Sequence, residues 1–437
     1  MSNFQRRTPV EEIKNPAFAF FLTLLFSFFT LVRPQELFQP LYGLPIIAVL
    51  SVLSIIVIVL AHRPIQLMPQ HYLLFCMLPV TALSGLLNGW LGEGVSEGLR
   101  YITSCLIPLF IFSVVYTTAN RQKIYMWLSL IAAVLFVHNG YVQQNSIDGF
   151  GWSGTEYVEN GRIRYLGIFQ DPNDVGVFFM MNIPFALYFI KHSNFFGKLI
   201  STIFLAAIFY GIYMTNSRGT MLAVIGMVGL YLLLRYGGVK AIITGLIFAP
   251  IVIVVASTFR AVSSQEASAM GRLWAWWDGL EMLKSNPVFG IGSNNFMDQH
   301  GRVAHNTYIQ IAAELGLSGY LLWTTILLLT LAMGLAAFMY GKNKLPDDIP
   351  DNVKAELSLC TTLFFSLCGF AMTAFFLSRH RFIVFFMVAG LLIASYQRLV
   401  KLIGDDFKLD YKHTIKRIIA IALTILIFVY IILKLTV

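Results

Sequence analysis

The stretch LSGYLLWTTILLLTLAMGLAAFMY, residues 317–340, contains no charged residue and is long enough to cross a bilayer as a helix, which takes about 20 apolar residues. Similar apolar stretches recur along the chain, and most of them are joined by short polar connections. We therefore predict an all-α, polytopic transmembrane helical bundle of about 12–13 spans, which forms one integral membrane domain over residues 1–437. The predicted spans are 17–32, 44–61, 72–87, 99–118, 124–138, 174–190, 198–215, 219–236, 240–257, 317–340, 356–378, 382–397 and 417–435.

The composition agrees with a membrane protein and argues against other classes. Hydrophobic residues make up 57% of the chain and charged residues only 12%, whereas soluble domains carry roughly 25% charged residues. The net charge of +9 does not indicate nucleic-acid binding, because no polar segment holds a basic stripe with interleaved aromatic residues. The four cysteines lie inside apolar stretches and form no CxxC pair, so neither a disulfide framework nor a zinc site is expected.

The distribution of cations predicts an orientation. Arg6, Arg7 and Lys14 precede the first apolar stretch, and Arg33 follows it in place of a cleavage site, so we expect a first transmembrane helix and not a removable signal. With the N-terminus on the cytoplasmic side, 19 of the 31 Lys and Arg residues fall on that side, as the positive-inside rule requires.

The opposite, outward side has two distinctive features. Its cations are almost all Arg, which binds phosphate and carboxylate through a planar fork that Lys lacks. It also carries the two long connections, predicted at 139–173 and 258–316, and long ordered connections are usually functional. The sequence therefore predicts that the chemistry lies on the outward side. Part of the active site is expected in the second connection, and residues 317–437 are expected to form the C-terminal spans.

The end of the second connection runs into the next span through AHNTYIQIAAELGLSGYLL, residues 304–322. His305 and Asn306 are followed by nine residues, then Gly316, two residues and Gly319. On a continuous helix, His305 and the two glycines would lie on one face, and the glycines would allow another helix to pack closely. His305 would open this helix at the membrane boundary, where an imidazole that titrates near neutral pH suits a general base.

The stretch from Arg272 to Gly319 resembles the core signature of the O-antigen ligase and O-antigen polymerase superfamily. That signature has an Arg before a helix, a Pro–Gly-x-Gly turn and then HN-x9-G-x2-G. A second element agrees, since Thr215–Gly219 reads TNSRG and the superfamily carries an SRG-like turn there. These motifs cover about a quarter of the chain, and hydropathy extends the resemblance to nearly all of it. The matching residues are Arg272, Pro287, Gly290, Gly292, His305, Asn306, Gly316 and Gly319.

The resemblance implies a multi-pass protein of the bacterial inner (cytoplasmic) membrane. Members transfer a glycan from an undecaprenyl diphosphate carrier to an acceptor hydroxyl on the periplasmic face. For this chain we expect no cofactor. The acceptor is lipid A core for ligases, the next carrier-linked repeat unit for polymerases, and a protein for a smaller group. The sequence leaves these three possibilities open. The superfamily usually has twelve spans, so the role of the extra C-terminal span is also open.

The resemblance and the residue chemistry together assign roles. Arg218 and Arg272 match the two arginines of the superfamily, and we expect them to stabilise the charge that develops on the leaving diphosphate. His305 would take the proton of the acceptor hydroxyl, and a single inverting displacement then needs no covalent intermediate. The expected substrate-binding residues are Arg162, Arg164, Asn306, Arg379 and Arg381.

Two acids near the first long connection have two possible roles. Asp171 and Asp174 could bind a divalent cation. However, Asp171 as N-cap, Pro172 at the first helical position and Asp174 two residues further on are typical of a helix start. We prefer the helix start and expect no metal site.

Two other functions compete with a glycan ligase or polymerase. A transporter or flippase would place ionisable groups near the membrane midplane, whereas the predicted spans hold almost no charge. A peptidoglycan-polymerase-like enzyme would use an outward acid as base, and the second long connection offers Glu266, Asp278, Glu281 and Asp298. The His-Asn pattern favours the ligase or polymerase.

Overall fold

A computed structural model describes residues 17–61, 65–238, 265–344 and 349–436. Within these ranges, ten helices are long and apolar enough to cross a membrane, and Ala17–Leu31 and Ile46–Ala61 are shorter apolar helices. The prediction of an all-α, polytopic bundle is therefore confirmed. The span predicted at 240–257 lies outside the described residues, as do Arg6, Arg7 and Lys14.

The helices are labelled in chain order. They are α1 (Ala17–Leu31), α2 (Ile46–Ala61), α3 (Pro69–Leu87), α4 (Leu91–Tyr101), α5 (Ile107–Val115), α6 (Ala119–Asn145), α7 (Pro172–His192), α8 (Phe195–Thr215), α9 (Arg218–Tyr236), α10 (Gln265–Ser285), α11 (Asn295–His300), α12 (Thr307–Asn343), α13 (Asp351–Thr373), α14 (Ile383–Ile403) and α15 (Tyr411–Thr436).

The bundle has a buried centre and a lipid-facing periphery. In α7 and α14, 83% and 78% of the most apolar window is buried, against 17% in α9 and 22% in α8. The apolar surface of α8 and α9 remains exposed, which is favourable only in lipid. Helix α13 packs against both α7 and α14 in the centre, and the segment between α13 and α14 carries Arg379 and Arg381.

Three helix boundaries differ from those that hydropathy predicts. The fourth span begins at Leu91 instead of 99, because α4 continues into α5 through a π-helical turn at Ile102–Leu106 and so includes Glu93 and Glu97. Helix α6 continues to Asn145, which shortens the first long connection to 146–171. Helix α12 begins at Thr307, so the second long connection ends well before 316.

Helix α12 is broken at Gly316, which corrects the expectation of one continuous helical face. Gly316 has φ 66° and ψ −166°, a backbone conformation that is essentially restricted to glycine. The break leaves backbone groups without helical partners, and the turn after α10 supplies those partners. The bonds are Ile291 N–H to Ala313 O (3.0 Å), Gly292 N–H to Glu314 O (3.0 Å), Leu317 N–H to Pro287 O (2.8 Å) and Ser318 N–H to Val288 O (3.2 Å).

The glycines of the signature make this close contact possible. A Cβ added at Gly316 would lie 2.5 Å from the backbone of Val288, and one at Gly290 would lie 2.4 Å from the backbone of Glu314. Gly290 and Gly292 also have positive φ values of 70° and 99°. The Pro–Gly-x-Gly turn and Gly316 of α12 are therefore two halves of one backbone joint, and this joint holds α10 against α12.

The helices bury more carboxylates than the hydropathy profile indicates. Glu97, Glu314 and Glu356 are all buried. Glu314 accepts a hydrogen bond from Gln310 (3.0 Å), and Glu356 pairs with Arg398 (2.5 Å). The helices thus contain acids that the predicted spans left out, because they begin before the predicted limits at 99 and 317 and so include Glu97 and Glu314.

The C-terminal helix α15 covers the joint between α10 and α12. It packs against both helices. The Tyr320 hydroxyl of α12 donates to the Ala422 carbonyl of α15 (2.9 Å), and the rings of Trp277 and Tyr430 stack with centroids 6.0 Å apart. The extra C-terminal span thus supports α10, which lies within the second long connection, and α12, which follows it.

Candidate active site

His305 lies just before α12 and has a left-handed backbone. Its φ is 49°, a conformation that costs a residue with a Cβ about 1–2 kcal/mol. Asn306 is the N-cap of the helix, and its Oδ1 accepts the N–H groups of Tyr308 (3.0 Å) and Ile309 (3.2 Å). The sequence predicted that His305 opens the helix. In the structure His305 instead lies one residue before the N-cap. Backbone strain of this kind is concentrated at functional sites.

The surroundings of His305 are mainly cationic. Burial lowers the pKa of its imidazole, and the charges of Arg272, Arg379 and Arg302 lower it further, whereas the charge of Asp171 opposes them. The structure thus brings Arg272 and Arg379 within electrostatic range of His305. A histidine in such a place is neutral at neutral pH, and it can accept a proton.

The turn that carries Arg218 packs beside the start of α7. Ser217 is the N-cap of α9, and its hydroxyl donates to Asn173 Oδ1 (2.7 Å). Arg162 donates to the same oxygen (3.2 Å) and to the Thr215 carbonyl (3.0 Å). Arg162 therefore ties the end of the 146–171 connection to the Arg218 turn.

Arg164 is held within its own connection. Its Nε donates to the Glu156 carbonyl (2.5 Å), and its backbone N–H donates to Gln143 Oε1 (3.2 Å). The side chain of Arg164 is half-buried. Its predicted contact with substrate stays a prediction.

Arg379 pairs with a carboxylate of α7. Its Nε and Nη2 donate to the two oxygens of Asp174 at 2.5 and 2.8 Å, and Asp171 lies 3.9 Å from Nη2. Asp171 is the N-cap of α7 and accepts the N–H of Asn173 (2.8 Å). The helix start predicted from Asp171 and Pro172 is confirmed, while the pairing of Asp174 with Arg379 was missed. One feature of the sequence pointed to this ion pair. Arg379 and Arg381 lie in a short turn between two apolar spans, where a charged side chain needs a partner.

Arg381 and His380 converge on a buried acid. Glu97 lies 2.9 Å from Arg381 and 3.6 Å from His380 Nε2. The His380 ring stacks on Tyr101, and its carbonyl accepts the indole N–H of Trp323 (2.9 Å). Burial lowers the pKa of His380, and its hydrogen bond to Glu97 opposes this shift. Arg381 thus has a counter-ion inside the protein.

A second histidine, His300, has an acid partner. His300 Nδ1 lies 2.6 Å from Asp278 Oδ2, and Trp276 donates to the Ala304 carbonyl (3.0 Å). Both contacts attach α10 to the segment that leads to His305. His300 also has the arrangement of an acid-oriented base, so it is the rival that any test of His305 must control for.

Residues 203–324 match the family model described as O-Antigen ligase. The resemblance seen in the sequence is thereby confirmed, and the matched segment contains Arg218, Arg272 and His305. No curated protein matches the chain.

The acids around these residues do not form a metal-binding cluster in the described part of the chain. In the part of the chain that the structure describes, no group of three or more His, Cys, Asp or Glu side chains is arranged to hold a metal ion. Asp171 and Asp174 are used by a helix cap and by Arg379. Whether the reaction is independent of metal stays a prediction.

Proposed function

We propose that this membrane glycosyltransferase moves a glycan from an undecaprenyl diphosphate carrier to an acceptor sugar hydroxyl on the periplasmic face, by metal-independent inverting displacement. One observation carries the proposal. Within a segment that matches the O-antigen ligase family, a strained histidine with a lowered pKa lies within electrostatic range of Arg272 and Arg379. A neutral base beside forked cations suits the attack of a hydroxyl on a sugar that leaves a diphosphate.

The displacement needs one base and one anion site. The acceptor oxygen bonds to the anomeric carbon while the bond from that carbon to the diphosphate oxygen breaks. The electron pair leaves with the diphosphate, and the acceptor proton moves to a ring nitrogen of His305. We assign Arg218 and Arg272 to the developing charge, because a bidentate guanidinium matches phosphate geometry.

The predicted substrate-binding arginines differ in how well they are placed to contact the donor. Arg379 leaves 41% of its side chain exposed beside the site, whereas Arg381 leaves 26% exposed and is paired with Glu97. We therefore favour Arg379 over Arg381 as a donor contact. Arg162 is favoured over Arg164, because Arg162 bonds to the turn that carries Arg218.

The acceptor is a glycan or lipid A core in this proposal, and the protein resides in the bacterial inner membrane with its N-terminus in the cytoplasm. Cation distribution supports this orientation. Single cysteines placed in 146–171 should react with an impermeant thiol reagent in whole cells. Labelling only of cysteines placed between α12 and α13 would invert the orientation.

A transporter is the one rival that a structural observation favours. Buried acids and a broken membrane helix, such as Glu97, Glu314 and the break at Gly316, are features of transport proteins. The break is closed by backbone hydrogen bonds to the turn after α10, and therefore does not need an ion to complete it. Together with the family match, this favours the glycosyltransferase.

The decisive experiment measures transfer in a purified, reconstituted system with a defined lipid-linked glycan donor. His305→Asn removes the base but tolerates a left-handed backbone. It should lower turnover by roughly 100- to 10,000-fold, while donor binding is largely preserved. His413→Asn is the matched control, because His413 is exposed on α15.

His300→Asn decides between the two histidines. Normal turnover in His305→Asn, with a large loss in His300→Asn, would reject His305 as the base and transfer the role to the Asp278–His300 pair. An absence of transfer by the wild-type protein, together with vesicle uptake of the donor, would favour the transporter.

A further inference from the structure

The segment between α13 and α14, residues 374–382, is here called the arginine turn. It presents two guanidinium groups in different directions. Arg379 pairs with Asp174 of α7, and Arg381 pairs with Glu97 of α4. Arg379 of the first pair acts electrostatically on His305. In the second pair, Glu97 is buried.

Glu97 is the anchor of the buried pair. Its side chain is only 2% exposed, and an ion in such a place is stable only with close partners. Arg381 at 2.9 Å and His380 at 3.6 Å both belong to the arginine turn, while Arg100 of the same helix lies at 3.4 Å and is half-exposed. Two of the three partners of Glu97 therefore hold the arginine turn against α4.

The arginine turn is also bonded to the start of α12. Thr307 donates its N–H to the Ala374 carbonyl (2.8 Å) and its hydroxyl to the Leu377 carbonyl (2.5 Å), and it accepts the N–H of Arg379 (3.0 Å). Thr307 lies two residues after His305. A shift of the arginine turn is thus transmitted both to Arg379 and to the backbone next to His305.

We propose that Glu97 is a positioning residue for the transfer reaction, which sets the arginine turn and thereby the distance of Arg379 from His305. The inference rests on the proposed function of His305. It goes beyond the family signature, because Glu97 lies outside the matched segment 203–324 and outside every motif found in the sequence.

The pH dependence of transfer should respond to the distance between Arg379 and His305. The charged groups that act on His305 are Arg272 of α10, Arg302 of the connection before α12, Arg379 of the arginine turn, and Asp171, the N-cap of α7. Arg379 lowers the pKa of His305. If the arginine turn retreats, this pKa rises, and the acid limb of the pH–rate profile moves to higher pH.

The test compares Glu97→Gln with Glu93→Gln in reconstituted enzyme. Glu93 is on the same helix and also bonds to Arg100, but it is more exposed (40%). Its other partner is Asn294 (2.8 Å), and within the described residues none of its bonds reaches the arginine turn. Glu97→Gln leaves Arg381 without a counter-charge, and a displacement of about 1 Å at a reacting group costs on the order of 100-fold in rate. We expect that loss, with an acid limb at higher pH, and neither effect in Glu93→Gln.

Glu97→Asp covers the case in which Glu97→Gln does not fold. It keeps the charge but shortens the reach to Arg381, so a smaller loss and a smaller shift of the acid limb in the same direction are expected. An unchanged turnover, or a reduced turnover with an unmoved acid limb, would overturn the positioning role. No transfer by the wild-type protein would instead refute the proposed function itself.

Discussion

Gly316→Ala tests the backbone joint between α10 and α12. The alanine would have to adopt φ 66° and ψ −166°, which costs a non-glycine residue about 1–3 kcal/mol. Its Cβ would also lie 2.5 Å from Val288 and 2.6 Å from Phe289, in both cases against backbone atoms. Overpacking of this kind costs typically 1–3 kcal/mol. We expect the free energy of unfolding to fall by about 2–6 kcal/mol.

The assay is thermal unfolding of the purified protein in detergent, followed by loss of helical signal and by transfer activity. Gly229→Ala is the matched control, since Gly229 is a helical glycine of α9 with nothing within 4 Å of an added Cβ. That change should be neutral or stabilising by roughly 0.5–1 kcal/mol. Equal unfolding temperatures for Gly316→Ala, Gly229→Ala and the wild type would refute the joint as a determinant of stability.

Three further predictions concern the chemistry. Arg218→Lys and Arg272→Lys should insert normally into membranes but transfer glycan poorly, because Lys lacks the bidentate fork; full activity in both would make these arginines structural. The acid limb of the wild-type pH–rate profile should lie below the ordinary histidine pKa of about 6.5, since burial and Arg272 lower the pKa of His305, and a limb above that value would contradict the assignment. Activity should persist in excess chelator. A loss of activity that Mg²⁺ reverses would instead favour a metal site at Asp171 and Asp174.

The membrane bundle was predictable from the sequence because lipid imposes a simple length and hydropathy requirement on each span. The cap of α7 was also predictable, since Asp171 and Pro172 are adjacent in the chain and act locally. His305, Arg272 and Arg218 were identified by spacing within a motif, and the structure places His305 within electrostatic range of Arg272.

The partners of the arginines were not predictable in the same way. Glu97 and Arg381 are separated by more than half of the chain, and no local pattern connects them. The break at Gly316 was hidden for a different reason. Apolar residues continue on both sides of it, and the groups that satisfy the break belong to the turn at Pro287–Gly292. Tertiary hydrogen bonds decide this feature, and helical periodicity does not show it.

The left-handed backbone of His305 offers a route to chemical complementation. Glycine adopts such a φ value without steric cost, so His305→Gly removes the imidazole while relieving the backbone. The vacated space lies beside Arg272 and Arg379, whose charges act on whatever occupies it. Free imidazole added to His305→Gly can therefore act as a diffusible proton acceptor. A series of substituted imidazoles would then relate the transfer rate to the basicity of the acceptor, which a change in the protein alone cannot do.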